Sequence, residues 1–103
     1  MEAYNARDLD VFMTYFDEDI EMYNFHAENS SAKGLEEVRS IYKKMFDASP
    51  ELHSKILNRI VFDNKVIDYE FITGAYGKAE PFELVFIYEI RDGKIFRTTA
   101  IRK

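Results

Sequence analysis

The stretch Phe82-Glu83-Leu84-Val85-Phe86-Ile87-Tyr88-Glu89-Ile90-Arg91-Asp92-Gly93-Lys94-Ile95-Phe96-Arg97-Thr98-Thr99-Ala100-Ile101-Arg102 decides the fold. Phe82, Leu84, Phe86, Tyr88 and Ile90 alternate with Glu83, Val85, Ile87, Glu89 and Arg91, the period that sends successive side chains to opposite faces of a strand. Asp92-Gly93 supplies two residues that tolerate positive φ, the strongest short-range hairpin signal, so residues 94–102 return as the antiparallel partner. Upstream, Asp63-Asn64-Lys65 is a second turn between residues 52–63 and 66–73, and residues 74–81 link that hairpin to Phe82. Four strands joined this way form a meander.

The front third is different. Leu9, Phe12, Met13 and Phe16 make a short helical stripe that Asp8 or Asp10 can cap, and the run Asp17-Glu18-Asp19 interrupts it. Residues 20–26 read as a strand with Ile20, Met22 and Asn24 on one face. Residues 28–34 are a polar loop. Leu35, Val38, Ile41, Tyr42, Met45 and Phe46 then recur at helical spacing. Glu36 and Glu37 suit the start of that helix and Lys43 and Lys44 its end, as the helix dipole requires. Ala48-Ser49-Pro50 stops it. Helix, strand, helix and meander give an α+β class with an antiparallel sheet.

The 103 residues fit a single domain, residues 1–103, with 47% apolar content to fill one core. Sixteen residues are aromatic, nine Phe and seven Tyr. Cysteine is absent, which excludes disulfide scaffolds, thiolate metal sites and cysteine nucleophiles. Fourteen basic against nineteen acidic residues leave a net charge of −5, which argues against nucleic acid as a partner. No secretory signature and no stretch of about 20 apolar residues is found, so no membrane is expected as a partner and a cytoplasmic location is.

The words Tyr4-Asn5-Ala6-Arg7-Asp8-Leu9-Asp10, Phe16-Asp17-Glu18-Asp19, Gly34-Leu35-Glu36-Glu37-Val38-Arg39, Asn64-Lys65-Val66, Ile72-Thr73-Gly74 and Asp92-Gly93-Lys94-Ile95 stand in the order found in SnoaL-like proteins. The whole chain resembles that family, part of the nuclear transport factor 2-like superfamily. The resemblance implies a cystatin-like cone, a strongly curved antiparallel sheet wrapping two to three helices around a pocket. Relatives carry a longer first helix than the residues before Asn5 allow, so a shortened helix from a late-placed start is expected. The superfamily includes isomerases, cyclases, epoxide hydrolases and pure binding modules, so the fold licenses no reaction.

By that resemblance, the steroid-isomerase base position reads Asn24, and an amide cannot abstract a carbon-bound proton. The oxyanion-hole acid falls near Phe86, and the partner Tyr lies ahead of Met1. The epoxide-hydrolase positions read Glu70, Ile72 and about Ala100. The cyclase acid falls at Arg102 and Lys103. None of these three chemistries has its groups.

What remains is Asp68 and Glu70, two carboxylates on one face of a strand, roughly 7 Å apart. Facing a pocket walled by Phe82, Leu84, Phe86 and Tyr88, they are an acid–base pair or a clamp for a cationic or hydroxylated ligand. Facing outward, they are a solvated or dimer-contacting surface and Ile67, Tyr69 and Phe71 fill the core. Both registers stay open. Asn24, His53, Asn58, Phe86 and Tyr88 are the candidate pocket residues, with Asn58 inward beside Ile56 and Ile60. Arg59 and Arg97 are expected in ion pairs on the outer surface. No spacing of His, Asp and Glu suggests a metal site, and no cofactor is expected. Val85 and Ile87 make the opposite sheet face apolar too, which implies a homodimer through the sheet. The leading expectation is a small-molecule binder. An isomerase, lyase or hydrolase using Asp68 or Glu70 comes second, and a structural dimerisation module third.

Overall fold

The computed structural model describes residues 2–77 and 80–102. Lys78 and Ala79 of the link before Phe82, together with Met1 and Lys103, lie outside the described residues.

The Tyr4-to-Asp8 word has a physical job. Helix α1 (Glu2–Asn5) is a single turn, and Arg7 at φ 56° reverses the chain after it. The Asp8 carboxylate then accepts the Val11 N–H at 3.3 Å and caps α2 (Leu9–Met13). Asn5 meanwhile pairs with the backbone of Ser54. Its Nδ2 donates to the Ser54 carbonyl at 3.2 Å, and its Oδ1 accepts the Ser54 N–H at 2.8 Å. Arg7 adds a 2.7 Å bond to the Leu52 carbonyl. Ser54 belongs to an edge strand, whose open backbone groups would otherwise template aggregation.

Strand β1 (Phe16–Asn24), the two-residue β2 (Ala32–Lys33) and α3 (Leu35–Ala48) follow. The meander comprises β3 (His53–Phe62), β4 (Lys65–Thr73), β5 (Phe82–Arg91) and β6 (Lys94–Arg102), with a short 3₁₀ turn at Ala75–Gly77. All six strands form one curved sheet in the order β2-β1-β6-β5-β4-β3. The meander and the α+β class are as the alternation predicts.

Three details differ. The sheet is mixed, because β1 runs parallel to β6. Hairpin turns force antiparallel pairing only on strands they join, and β1 meets β6 with the rest of the chain between them. Second, β1 starts at Phe16, so Asp17-Glu18-Asp19 lies inside the strand instead of interrupting a helix. Phe16 pairs with Ile95, and the register breaks before Glu21, which accommodates the acidic run. Third, the polar loop after β1 contains β2, held to Met22 and Glu21.

The helices lie on the inner face of the sheet. Ile20, Val38 and Leu52 are fully buried there, with Tyr42, Phe46 and Leu84 around them. Phe12 is the hub, its ring 4.8 Å from Tyr42, 5.1 Å from Phe16 and 5.7 Å from both Tyr4 and Phe46. Edge-on and tilted pairs of this kind contribute roughly 0.5–1.5 kcal/mol each beyond burial. At the end of β4, Gly74 has φ 74°, and a Cβ there would stand 2.2 Å from the Glu51 carbonyl oxygen. Only glycine lets the two chain segments approach so closely.

Candidate functional site

Strand register fixes what faces the helices. Across the sheet, Ile56, Glu70, Leu84 and Arg102 stand in one row, and Arg59, Asp68, Phe86 and Ala100 in the next. Val66, Tyr88, Thr98 and Met22 form a third. Leu84, Ala100 and Thr98 are buried, so these rows line the inner face. Asp68 and Glu70 therefore point inward, at 1% and 2% exposure, while Ile67, Tyr69 and Phe71 take the outer face.

Strand β3 carries a bulge. Ile56 pairs with Glu70 but Asn58 pairs with Tyr69, leaving Leu57 as the extra residue. One inserted residue swaps the faces of everything beyond it. Arg59, expected outside, thus stands inside opposite Asp68, and Asn58, expected inside, is exposed on the outer side. Arg59 Nε and an Nη donate to the two oxygens of Asp68 at 2.7 and 2.8 Å, a bidentate ion pair. That bonding raises the guanidinium pKa further.

Among the described residues Glu70 has no such partner. Ser54 Oγ donates to its Oε1 at 2.8 Å, and the Tyr88 hydroxyl donates to Oε2 at a long 3.3 Å. Burial is the main force raising its carboxyl pKa. The Ser54 bond opposes that rise and the nearby Asp68 charge adds to it. Glu70 lines a cavity of about 420 Å³ together with Tyr4, Phe12, Tyr42, Met22, Phe86 and Tyr88, among others. The rings of Phe86 and Tyr88 stack 5.6 Å apart along one wall. Arg102 is exposed and also lines the cavity. A second hollow of about 400 Å³ lies against the Arg59–Asp68 pair and shares Tyr4, Phe12 and Tyr88 with the first.

Burial also pushes the phenols of Tyr4, Tyr42 and Tyr88 up, and the Glu70 charge acts in the same direction on all three. They are neutral hydroxyls, available as donors. Among the described residues, no three His, Asp or Glu side chains gather closely enough to hold a metal ion.

The structure brings together Asp68, Glu70, Phe86 and Tyr88 of the sequence candidates. Asn24, at the exposed end of β1, and His53, exposed at the start of β3, line neither cavity. His53 alternates with the buried Leu52 and Ser54 and so takes the outer face, and Asn24 is the exposed last residue of β1. Sequence reasoning missed Arg59, Ser54, Tyr4 and Tyr42. Ser54 was within reach, since it alternates with Leu52 and Ile56. Tyr4 and Tyr42 are helical residues whose docking no strand pattern encodes.

The curved sheet and the helices on its inner face define a cystatin-like α+β fold. Residues 1–98 match the sequence model of the SnoaL-like domain, and the chain belongs to that family. Solved structures agree. An uncharacterized cystatin-fold protein from Novosphingobium aromaticivorans is 28% identical with a TM-score of 0.87, over 98% of this chain and 90% of that one. A SnoaL-like protein of unknown function from Burkholderia thailandensis is 18% identical with a TM-score of 0.83, over 99% and 86%. An LEH-like epoxide hydrolase from M. tuberculosis is 14% identical with a TM-score of 0.80, over 99% and 75%. At those last two identities the likeness is one of fold. No sequence among curated proteins matches the chain. No helix of the described residues is long and apolar enough to cross a membrane.

Proposed function

We propose that this SnoaL-like domain binds a small organic molecule in the cavity beneath Tyr88. The observation that carries the reading is Glu70, buried in the wall of a largely aromatic cavity of about 420 Å³. Ligand sites combine apolar walls with a few placed polar groups. Glu70 and Tyr88 are those groups here, and Phe86 is wall. Cavity-directed substitution tests it: Phe86→Trp should fill the space and abolish the shifts that a fragment library induces in wild-type amide spectra. Unchanged fragment binding in that variant refutes the site.

A second reading, an isomerase, lyase or hydrolase, is favoured by one observation. Of the two inward carboxylates, Glu70 has no cation paired to it among the described residues, while Asp68 accepts two bonds from Arg59. Acid–base work would therefore fall to Glu70, with Asp68 holding the wall and Tyr88 as hydroxyl partner.

The reading includes a homodimer through the outer sheet face. There Ile60, Ile67 and Ile87 stand in one row, and Val85 and Ile101 in another. Each is at least partly exposed. A sedimentation mass near twice the 12.2 kDa of the chain is expected, and a monomer at micromolar concentration overturns this part.

A further inference from the structure

We infer that the ligand of this cavity is an organic cation, a protonated amine carried on an apolar body, with its charge set against Glu70. The inference rests on the binding reading above and adds the ligand's charge. It comes from an imbalance between two neighbours. Asp68 and Glu70 lie on one strand, face one way and are equally buried. The bulge at Leu57 delivers Arg59 to Asp68, where its Nε and one Nη donate to both carboxylate oxygens at 2.7 and 2.8 Å. Among the described residues Glu70 receives neutral hydroxyls only, and the one from Tyr88 is long at 3.3 Å. A carboxylate accepts about four hydrogen bonds, so Oε2 keeps capacity for a strong donor.

The surroundings have the same sign. Phe12, Tyr42, Phe86 and Tyr88 line the cavity, and aromatic faces are electron-rich and attract cations. Thr98, on the inner face between Met22 and Tyr88, has a buried Oγ1 with no hydrogen-bond partner among the described residues, a further oxygen near the same wall. Arg102 is the cation of the cavity lining, and it is exposed, where water and salt screen it. An anionic ligand would meet a buried carboxylate with no cation paired to it among the described residues. An ammonium group would supply the missing charge.

Binding of a cation requires Glu70 ionised, so affinity should rise with pH as its carboxyl titrates. The groups that act on it are Tyr4 from α1, Tyr42 from α3, Arg59 from β3, Asp68 on its own strand and Tyr88 from β5, with Arg102 of β6 in the same cavity lining. An alkylamine stays protonated across about pH 5 to 8, so the ligand does not contribute to that trend.

The test uses three probes of one shape: 4-phenylbutylamine, 4-phenylbutanol and 4-phenylbutyrate, titrated by amide chemical shift into the intact protein. At about pH 8 the amine should bind at least about tenfold tighter than the alcohol, as expected for a charged hydrogen bond to a buried carboxylate. The butyrate should be weakest. As pH falls through the titration of Glu70 the amine's advantage should shrink, and in Glu70→Gln it should vanish while the alcohol still binds. Alcohol or butyrate binding as tightly as the amine overturns the cation inference and leaves the binding site standing. So does an amine preference that survives in Glu70→Gln. Failure of all three probes to shift any cavity residue overturns both.

Discussion

Replacing Glu70 by Gln should stabilise the protein at neutral pH, and the gain should have a defined pH dependence. The side chain is 2% exposed, and burial raises its carboxyl above the ordinary value of 4.5. A raised acid binds its proton more tightly in the folded state than in the unfolded chain. Below the unfolded value both states hold the proton and Glu70 resembles Gln. Above it the unfolded chain releases its proton first, so wild-type stability falls with pH until the folded carboxyl also ionises. The slope in that window approaches about 1.4 kcal/mol per pH unit for one proton. Gln keeps an oxygen for the hydroxyls of Ser54 and Tyr88 and has no proton to lose. The variant should therefore match wild type below the range of the unfolded carboxyl and exceed it increasingly as pH rises, until the folded carboxyl ionises.

Urea unfolding followed by circular dichroism, at intervals of about half a pH unit from pH 4 to 8, measures the difference between the two proteins. In a domain of this size 1 kcal/mol moves Tm by about 4–8 °C, well within measurement. Asp68, Arg59 and the tyrosines are common to both proteins, and their contributions cancel to first order in the difference. A difference that stays flat across this range, or in which the wild type gains on the variant as pH rises, refutes the claim that Glu70 is an uncompensated buried acid.

Arg59→Met should cost about 2–4 kcal/mol, because it leaves Asp68 buried without its counter-charge, and Asp68→Asn in the same chain should restore part of the loss. Equal losses in the single and double variants by urea unfolding would refute this. Gly74→Ala should cost more than 2 kcal/mol, since its Cβ meets the Glu51 carbonyl oxygen at a positive φ, and a thermal midpoint within a degree of wild type would count against it. Asn5→Ala removes both bonds to the Ser54 backbone and should cost about 1–3 kcal/mol, with faster hydrogen exchange at Ser54 as the local signature. Deleting Leu57 removes the bulge and leaves Asn58 opposite Tyr69 and Arg59 opposite Asp68, so the ion pair should survive. A crystal structure of the deletion variant with Asn58 opposite Asp68 would contradict it.

The meander was legible because its signals are local. Alternation in β5, Asp92-Gly93 and the Asp63-Asn64 turn each depend on a few adjacent residues, and the helical stripe of α3 likewise. The orientation of β4 was not legible. Asp68 and Glu70 alternate with Ile67, Tyr69 and Phe71, and the apolar set would ordinarily be the core. The structure places it on the outer face, which is apolar in β5 too. Burying two carboxylates in preference to three large apolar side chains depends on partners from another strand, and no pattern within β4 contains them. Parallel pairing of β1 with β6 was equally invisible, as no turn joins them.

The bulge at Leu57 is what separates the two carboxylates chemically. Uninterrupted alternation from Ser54 would place Asn58 beside Asp68, and an amide cannot neutralise a buried charge. Both acids would then be uncompensated neighbours on one strand, each raising the other's cost of ionisation. The inserted residue exchanges that amide for the guanidinium of Arg59 without changing Ser54 or Ile56, which precede it. Asp68 is thereby fixed as part of the wall, and Glu70 alone keeps an uncommitted charge in the cavity. Selectivity for a ligand's charge can be built from one carboxylate only if the adjacent one is silenced, and the bulge that takes Leu57 out of the alternation keeps Arg59 in place to do this here.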